Sequence, residues 1–539
     1  MAIPATLDYE VIKLCSLVVV EGDWNKYIMS INRNHTYLII LTTVAAVLRF
    51  IELDLRVFHH DEAAVGYFAY RLLSEGIYSY DPSFHGPFLY YATAFLYSAL
   101  GDSVFSSRLL PAITGVLIIP LIFCLQRYIG RSGVFIASFL FAVSPSFVYY
   151  SRFFRNDIIV VFFILATFIC VLKYLDSGKL VFAVAAGSFL ALSVASKENT
   201  YIYITIFISY FVFVSMLELL TKKPISLINS LKHHFTGILI GAACFFMVYA
   251  LFYTDFFTNP SGILAYESAI SHWHQVHRIE RITGPVYFYI PLLFLYELPV
   301  VIFATSGTIY YVLLHKLDKF NLFLIYWSVM SLLAYSYLGE KVPWLILHIL
   351  LPMTLLAASF LNKIVVSLHN RSVNMKRAFE AVFAISLLLF VFSSFQLNYD
   401  HFTDTAEPLI QAAQPPQKFQ QLIDTIDVVA LQYDGYDTNI QVTDKSIETQ
   451  FLWYLRHYKK VHWNVSLNST LDSPIIVTHD VNSTTVENKI DKSYLRLDNA
   501  KMSWYWFKTS DITPGYILFR NMNRPAEEYG IVLFYREFP

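Results

Sequence analysis

Apolar runs follow one another through the first 400 residues, near 36–53, 107–126, 132–150, 157–174, 180–196, 199–219, 235–252, 287–314, 320–338, 343–361 and 378–397. About 20 apolar residues in a helix cross a hydrocarbon core of about 30 Å. The pattern therefore predicts a polytopic α-helical membrane protein with about eleven transmembrane helices. The eighth run is too long for one straight span, so its first part is expected to be re-entrant or interfacial. The stretch FHGPFLYYATAFLYSALG, which contains His85, Gly86 and Pro87, is expected to lie along the membrane surface, since counting it as a span breaks the charge pattern described below. After 397 the pattern changes. A linker-like TAEPLIQAAQPPQK leads into short Val/Ile/Tyr/Phe runs such as SPIIVTHD and GYILFR between polar turns, as in a small α/β domain. The predicted organisation is an N-terminal segment 1–35, a membrane domain 36–397 with outer loops 52–106 and 253–286, and a soluble domain 398–539.

Charge orients these elements. Arg127, Arg131, Lys173, Lys179, Lys222, Lys223, Lys232, Lys316, Lys319, Lys363, Arg371, Lys376 and Arg377 all fall on one side of the spans, together with Lys13, Lys26 and Arg33. The positive-inside rule then puts the N-terminus in the cytoplasm and the C-terminal domain outside. An odd number of spans agrees, as do the sequons at Asn464, Asn468 and Asn482 in the outer tail. Composition points the same way: of 539 residues 56% are hydrophobic and 15% charged, against about a quarter charged in soluble domains. The net charge of −1 suggests no nucleic-acid partner. Four cysteines without a CxxC pair suggest neither a disulfide framework nor a zinc site. Residues 1–35 are mixed and polar and run directly into the first span, so no cleavable signal is expected. P-loop, GxGxxG and GxSxG patterns are missing, which removes nucleotide-driven transport and the commonest hydrolases.

Candidate chemistry gathers on the outer side. Asp61 and Glu62, after His60 in HHDEAAVGYFAY, stand just beyond the first span. A carboxylate there suits a general base that takes a proton from an acceptor hydroxyl, although Asp61 also suits the N-cap of the following helix. SPSFVYYSRFFRND places Arg152, Arg155 and Asp157 at the outer boundary. Guanidinium forks match the phosphate of a lipid carrier, and snorkelling to headgroups is the plainer alternative. Lys197 and Glu198 in ASKENT, Glu297 in LYELP, and Glu340 and Lys341 in LGEKVPW recur at the same level. Intramembrane ionisable residues face a cavity or one another, so one polar site would account for all of them. His272, His274 and His277 near Glu267 and Glu280 could hold a metal, but their spacing matches no zinc signature and an amphipathic helix has the same composition. The SWYWF aromatics at 503–507 could stack on sugar rings, although a domain core is the commoner explanation of such residues.

Together, the Asp61–Glu62 pair after the first span, FHGPFLYY followed by GDSVFSSRLLPAITG, and SPSFVYYSRFFRND resemble the GT-C superfamily of membrane glycosyltransferases, in the branch of the protein O-mannosyltransferases and the lipid A aminoarabinose transferase. LYELP, LGEKVPW and FLWYLRHY look most like an archaeal family described as associated with flippase activity in protein glycosylation. The resemblance implies a sugar donor on a polyprenyl phosphate, such as dolichyl phosphate, and a protein or glycolipid acceptor at the extracytoplasmic face. It implies Asp61 as the catalytic base, with Glu62 beside it in the catalytic pair. Arg152, Arg155, Lys197 and Lys341 would hold the phosphate, with His60, His85, Asp157, Glu198, Glu297 and Glu340 nearby. No cofactor is expected, and a divalent metal is not favoured. Lipid-linked oligosaccharide flipping and a non-catalytic scaffold are the alternatives. The clustering of ionisable residues on one side favours chemistry over transport.

Overall fold

A computed structural model describes residues 24–537 except 223, 225, 280–283, 369–370, 405–406, 411–413, 504–512 and 520–527. Lys13, Lys223 and Glu280, and most of SWYWF, lie outside the described residues. Each apolar run forms helix. In chain order these are α1 (Trp24–Phe50), α2 (His60–Glu75), α3 (Phe88–Leu100), α4 (Val104–Phe123), α5 (Arg131–Val143), α6 (Pro145–Ser151), α7 (Asp157–Ser177), α8 (Leu180–Ser196), α9 (Thr200–Leu220), α10 (Phe235–Tyr253), α11 (Ala265–Ile279), α12 (Tyr289–Tyr296), α13 (Leu298–Leu313), α14 (Lys319–Tyr337), α15 (Ile346–Leu368) and α16 (Val373–Phe395).

Among the described residues, seven helices are long and apolar enough to cross a membrane, and nine spans result if the bent pairs α5–α6 and α12–α13 each count as one. The expected eleven is not reached by that measure, because His35–Phe50 and Leu180–Ser196 are shorter apolar helices. The chain is a multi-pass membrane protein. The segment from Pro343 through α15 is almost wholly enclosed by the other helices. At 13 residues, or about 20 Å, α3 is too short to cross.

The two breaks support each other. Pro145 has no N–H for the carbonyl of Phe141, and the α5–α6 bend of 58° frees neighbouring groups. Arg49 on α1 donates to the carbonyls of Phe141 at 2.9 Å and Ala142 at 3.0 Å. The freed Ser146 N–H donates instead to Glu297, which sits at the 108° bend between α12 and α13 and also accepts from the Ser144 hydroxyl. An apolar interior tolerates broken backbone only where such partners exist. The long eighth run is thus divided, as its length requires.

The C-terminal domain is α/β. Its strands β1 (Ile440–Val442), β2 (Val461–His462), β3 (Ile475–His479), β4 (Tyr494–Ser503) and β5 (Glu528–Arg536) form one mixed sheet in the order β2-β1-β3-β5-β4. Strand β1 is parallel to β2 and β3, and β5 is antiparallel to β3 and β4. SPIIVTHD supplies the buried β3, whereas GYILFR falls on a short helix, Pro514–Phe519. Helices α17 (Phe419–Gln432), α18 (Lys445–Tyr454) and α19 (Asp480–Glu487) complete the domain. The linker-like stretch is not loose: Leu409 and Ile410 join the bundle core, Tyr296 donates to Glu407, and Tyr150 donates to the Leu409 carbonyl.

Candidate active site

The cap of α2 sets the geometry. His59 is the N-cap; its Nδ1 accepts from Asp61 N–H at 3.1 Å, and Glu62 accepts from His59 N–H at 3.0 Å, closing a capping box. Asp61 is therefore not the cap, contrary to the plainer sequence reading. It lies in the first helical turn, where a negative charge complements the helix dipole. Burial holds the His59 imidazole down at about 4, despite the carboxylates beside it.

Successive helical residues point about 100° apart, which separates Asp61 from Glu62. The Asp61 side chain is 32% exposed and faces a cavity of about 820 Å³. Glu62 is fully buried and faces away: one oxygen accepts from Arg108 Nε at 2.8 Å and Phe154 N–H at 2.7 Å, the other from Arg108 Nη2 at 2.8 Å and His59 N–H. Arg56 approaches it at 3.5 Å. Burial alone would raise this carboxyl, but Arg108 and Arg56 outweigh it and bring Glu62 down to about 2. Glu62 is a structural anchor for the loop, so its expected place in the reacting site is not where the structure puts it.

The α6–α7 turn separates the two arginines in the same manner. Arg155 turns into the cavity, pairs with Asp61, and lies 3.9 Å over the Trp344 ring. Burial pushes Asp61 up, but the Arg155 guanidinium and the His60 ring hold its carboxyl well below the usual range. Arg152 instead donates to the carbonyls of Ile51 at 2.5 Å and Glu52 at 2.8 Å, closing the end of α1 and its following turn, and its fork packs on Tyr399. It is not at the cavity.

Lys197 and Glu198 line the cavity from the α8–α9 turn. Lys197 Nζ is held by both oxygens of Asp157 at 2.8 and 3.0 Å. Asp157 lies behind the wall, 1% exposed, and is also 3.1 Å from His348. His60, His85 and Glu340 line the cavity too. Lys341 does not, because its ammonium folds back onto the carbonyls of Tyr335, Ser336 and Leu338 and closes the C-terminal end of α14. Glu297 is occupied at the helix breaks described above.

The cavity also has walls that sequence reasoning did not single out. Trp344 backs both Arg155 and Lys197, the latter at 5.8 Å, and Trp273 of α11 stacks on His85. Tryptophans beside charges in LGEKVPW and SHWHQ were the available signal. Thr449 of α18 reaches the wall from the C-terminal domain. His274 and His277 line the same cavity, but among the described residues no three His, Cys, Asp or Glu side chains converge in a metal-binding group.

Comparison with known proteins agrees with this architecture. Residues 58–260 match the family model "Dolichyl-phosphate-mannose-protein mannosyltransferase". No curated protein sequence matches the chain. The solved structure of ArnT from Cupriavidus metallidurans bound to undecaprenyl phosphate is 12% identical, with a TM-score of 0.60 over 92% of this chain and 98% of that one. The archaeal oligosaccharyltransferase AglB from Archaeoglobus fulgidus, in complex with an inhibitory peptide and a dolichol-phosphate, is 13% identical, with a TM-score of 0.56 over 92% of this chain and 76% of that one. The chain has the ArnT-like GT-C fold, and within it residues 58–260 match the dolichyl-phosphate-mannose-protein mannosyltransferase family.

Proposed function

We propose that this protein is a glycosyltransferase that moves a sugar from a polyprenyl-phosphate carrier to an acceptor at the extracytoplasmic membrane face. The observation that carries the reading is the cavity wall on which Asp61, partly exposed, stands against Arg155 with Lys197 beside it. Its volume suits a small ligand. The polyprenyl phosphate in the solved ArnT structure and the dolichol-phosphate and peptide in that of AglB support a lipid-linked donor and a separate acceptor.

In this reading the acceptor O–H gives its proton to Asp61 as its oxygen bonds to the anomeric carbon. The bond from that carbon to the carrier phosphate breaks, and its electron pair leaves on the phosphate. Arg155 and Lys197 stabilise that developing charge in a partly enclosed site. Aromatic backing by Trp344 keeps the guanidinium in place. The one-sided run of basic loops supports placing the cavity and the C-terminal domain outside. Thiol labelling of an Asn468→Cys variant from the outer side tests that orientation.

The function is tested with purified protein in lipid, a panel of labelled polyprenyl-phosphate sugars, and Asp61→Asn. Transfer should fall by about 10²- to 10⁴-fold in the variant, while the lipid phosphate still binds. Undiminished transfer in Asp61→Asn removes Asp61 as base, and no transfer by the native protein from any donor removes the glycosyltransferase reading.

A further inference from the structure

His85 lines the cavity but takes no part in the reaction above, and its setting is unusually constrained. Its backbone has φ +69°, a region costly for a residue with a Cβ. The next residue secures the loop. Gly86 N–H donates to the Ser196 carbonyl at 3.2 Å, and a Cβ on Gly86 would come within 2.2 Å of the Ala195 carbonyl oxygen. The HGP turn is thus clamped to the end of α8, immediately before Lys197 and Glu198.

The side chain has equally few options. The ring is buried, stacked on Trp273 at 5.7 Å and 9°, with Nδ1 2.9 Å from Glu198 and Nε2 3.2 Å from Arg155 Nη2. A guanidinium can only donate, so Nε2 accepts and carries no proton. The proton then sits on Nδ1 and is donated to Glu198, whose other oxygen accepts from Tyr80 at 2.9 Å. Arg155 uses its second terminal nitrogen, Nη1, for Asp61.

We infer that His85 is a positioning residue: its neutral Nδ1–H tautomer, fixed by Glu198, holds Arg155 between Asp61 and the leaving phosphate. This rests on the glycosyl-transfer reading. Protonated His85 would present a donor to a donor, and Arg155 would lose one hydrogen-bond partner while keeping Asp61 and the Trp344 face. The groups facing the ring are Glu198 and Lys197 from the α8–α9 turn, Arg155 from the α6–α7 turn and, through Glu198, Tyr80 of its own loop. Helix α11 contributes Trp273 against the ring and His274 and His277 to the same cavity. Burial, with Lys197 and Arg155 adding to it, lowers the imidazole below its usual range and preserves the neutral form at neutral pH, although Glu198 pulls the other way.

The test compares His85→Phe, which keeps a ring against Trp273 but cannot accept, with His85→Gln, whose Oε1 can accept from Arg155. Transfer and its pH profile are measured in lipid, with thermal unfolding and lipid-phosphate binding as controls. His85→Phe should lose on the order of 100-fold in kcat while still binding the carrier. His85→Gln should retain most of the activity, and the acid limb of its profile should move to lower pH because the amide does not titrate. Full activity in His85→Phe, equal loss in both folded variants, or an unmoved acid limb in His85→Gln overturns the inference. If His85→Phe does not fold, the His85→Gln profile alone decides. A native protein inactive with every donor fails at the earlier step, and the role of His85 falls with it.

Discussion

Glu62→Gln is the most direct test of how the Asp61-bearing helix is anchored. The substitution keeps shape but removes the charge that holds Arg108 and Arg56, and turns one accepting oxygen into a donor facing donors. A carboxyl brought from its ordinary 4.5 to about 2 contributes about 3 kcal/mol at neutral pH, at 1.36 kcal/mol per tenfold. Leaving a buried cation without its partner costs a similar 3–5 kcal/mol or so. Because the folded value is the lower one, this contribution is complete above the unfolded value and is lost as pH falls from 4.5 toward 2. Thermal unfolding of detergent-solubilised protein across that range should show a strongly lowered midpoint for Glu62→Gln at pH 7, converging on the native protein in acid. Double substitution with Arg108→Met should recover part of the loss, since only Arg56 then remains as a buried cation without its carboxylate. A native-like midpoint for Glu62→Gln, or losses that simply add in the double variant, would refute the reasoning.

Arg152→Met should leave binding of the lipid carrier unchanged, because that fork closes the end of α1 and does not reach the cavity; carrier titration checks this, with Arg155→Met expected to weaken it. Gly86→Ala should abolish transfer even where folded protein is recovered, since the new Cβ meets backbone at the end of α8; transfer assays on the folded fraction decide. Trp453→Ala should destabilise the contact of the C-terminal domain with α2 by about 3–5 kcal/mol, read as earlier proteolysis of that domain.

The membrane helices and the α/β character of the tail were legible because each follows from a run or an alternation of apolar residues. Their number was less so: α1 and α8 include apolar stretches only 16 and 17 residues long. At the candidate site, the sequence located segments that line the cavity but not the direction of each side chain. Asp61 and Glu62 are neighbours in the chain but point about 100° apart on the helix. Arg152 and Arg155 are three apart, but the turn after α6 is not helical, so they do not share a face. Lys341 lies between Glu340 and Val342 on the cavity wall, yet the reversal before Pro343 sends it to the carbonyls of α14. Such choices depend on which backbone groups each break leaves open, and local sequence does not record that.

The FLWYLRHY segment has a further consequence through α18. Gln450 donates to the Phe58 carbonyl at 2.9 Å, the Phe58 N–H donates to the Tyr454 hydroxyl at 2.9 Å, and Trp453 lies against Gly66 so closely that a Cβ there would be 2.9 Å away. Arg456 reaches Asp102 at 2.6 Å. Both backbone groups of the residue before the His59 cap are therefore held by side chains about 390 positions later in the chain. At roughly 5–20 residues per second, a ribosome needs about 20–80 s to cover that interval. The turn before α2 thus waits through most of the chain's synthesis, and the last helix of the bundle, α16, is made before α18. On the proposed reading, competence waits for α18 to reach the Phe58 backbone, so a polypeptide truncated in translation before Gln450 would take up membrane space with its candidate site unfinished.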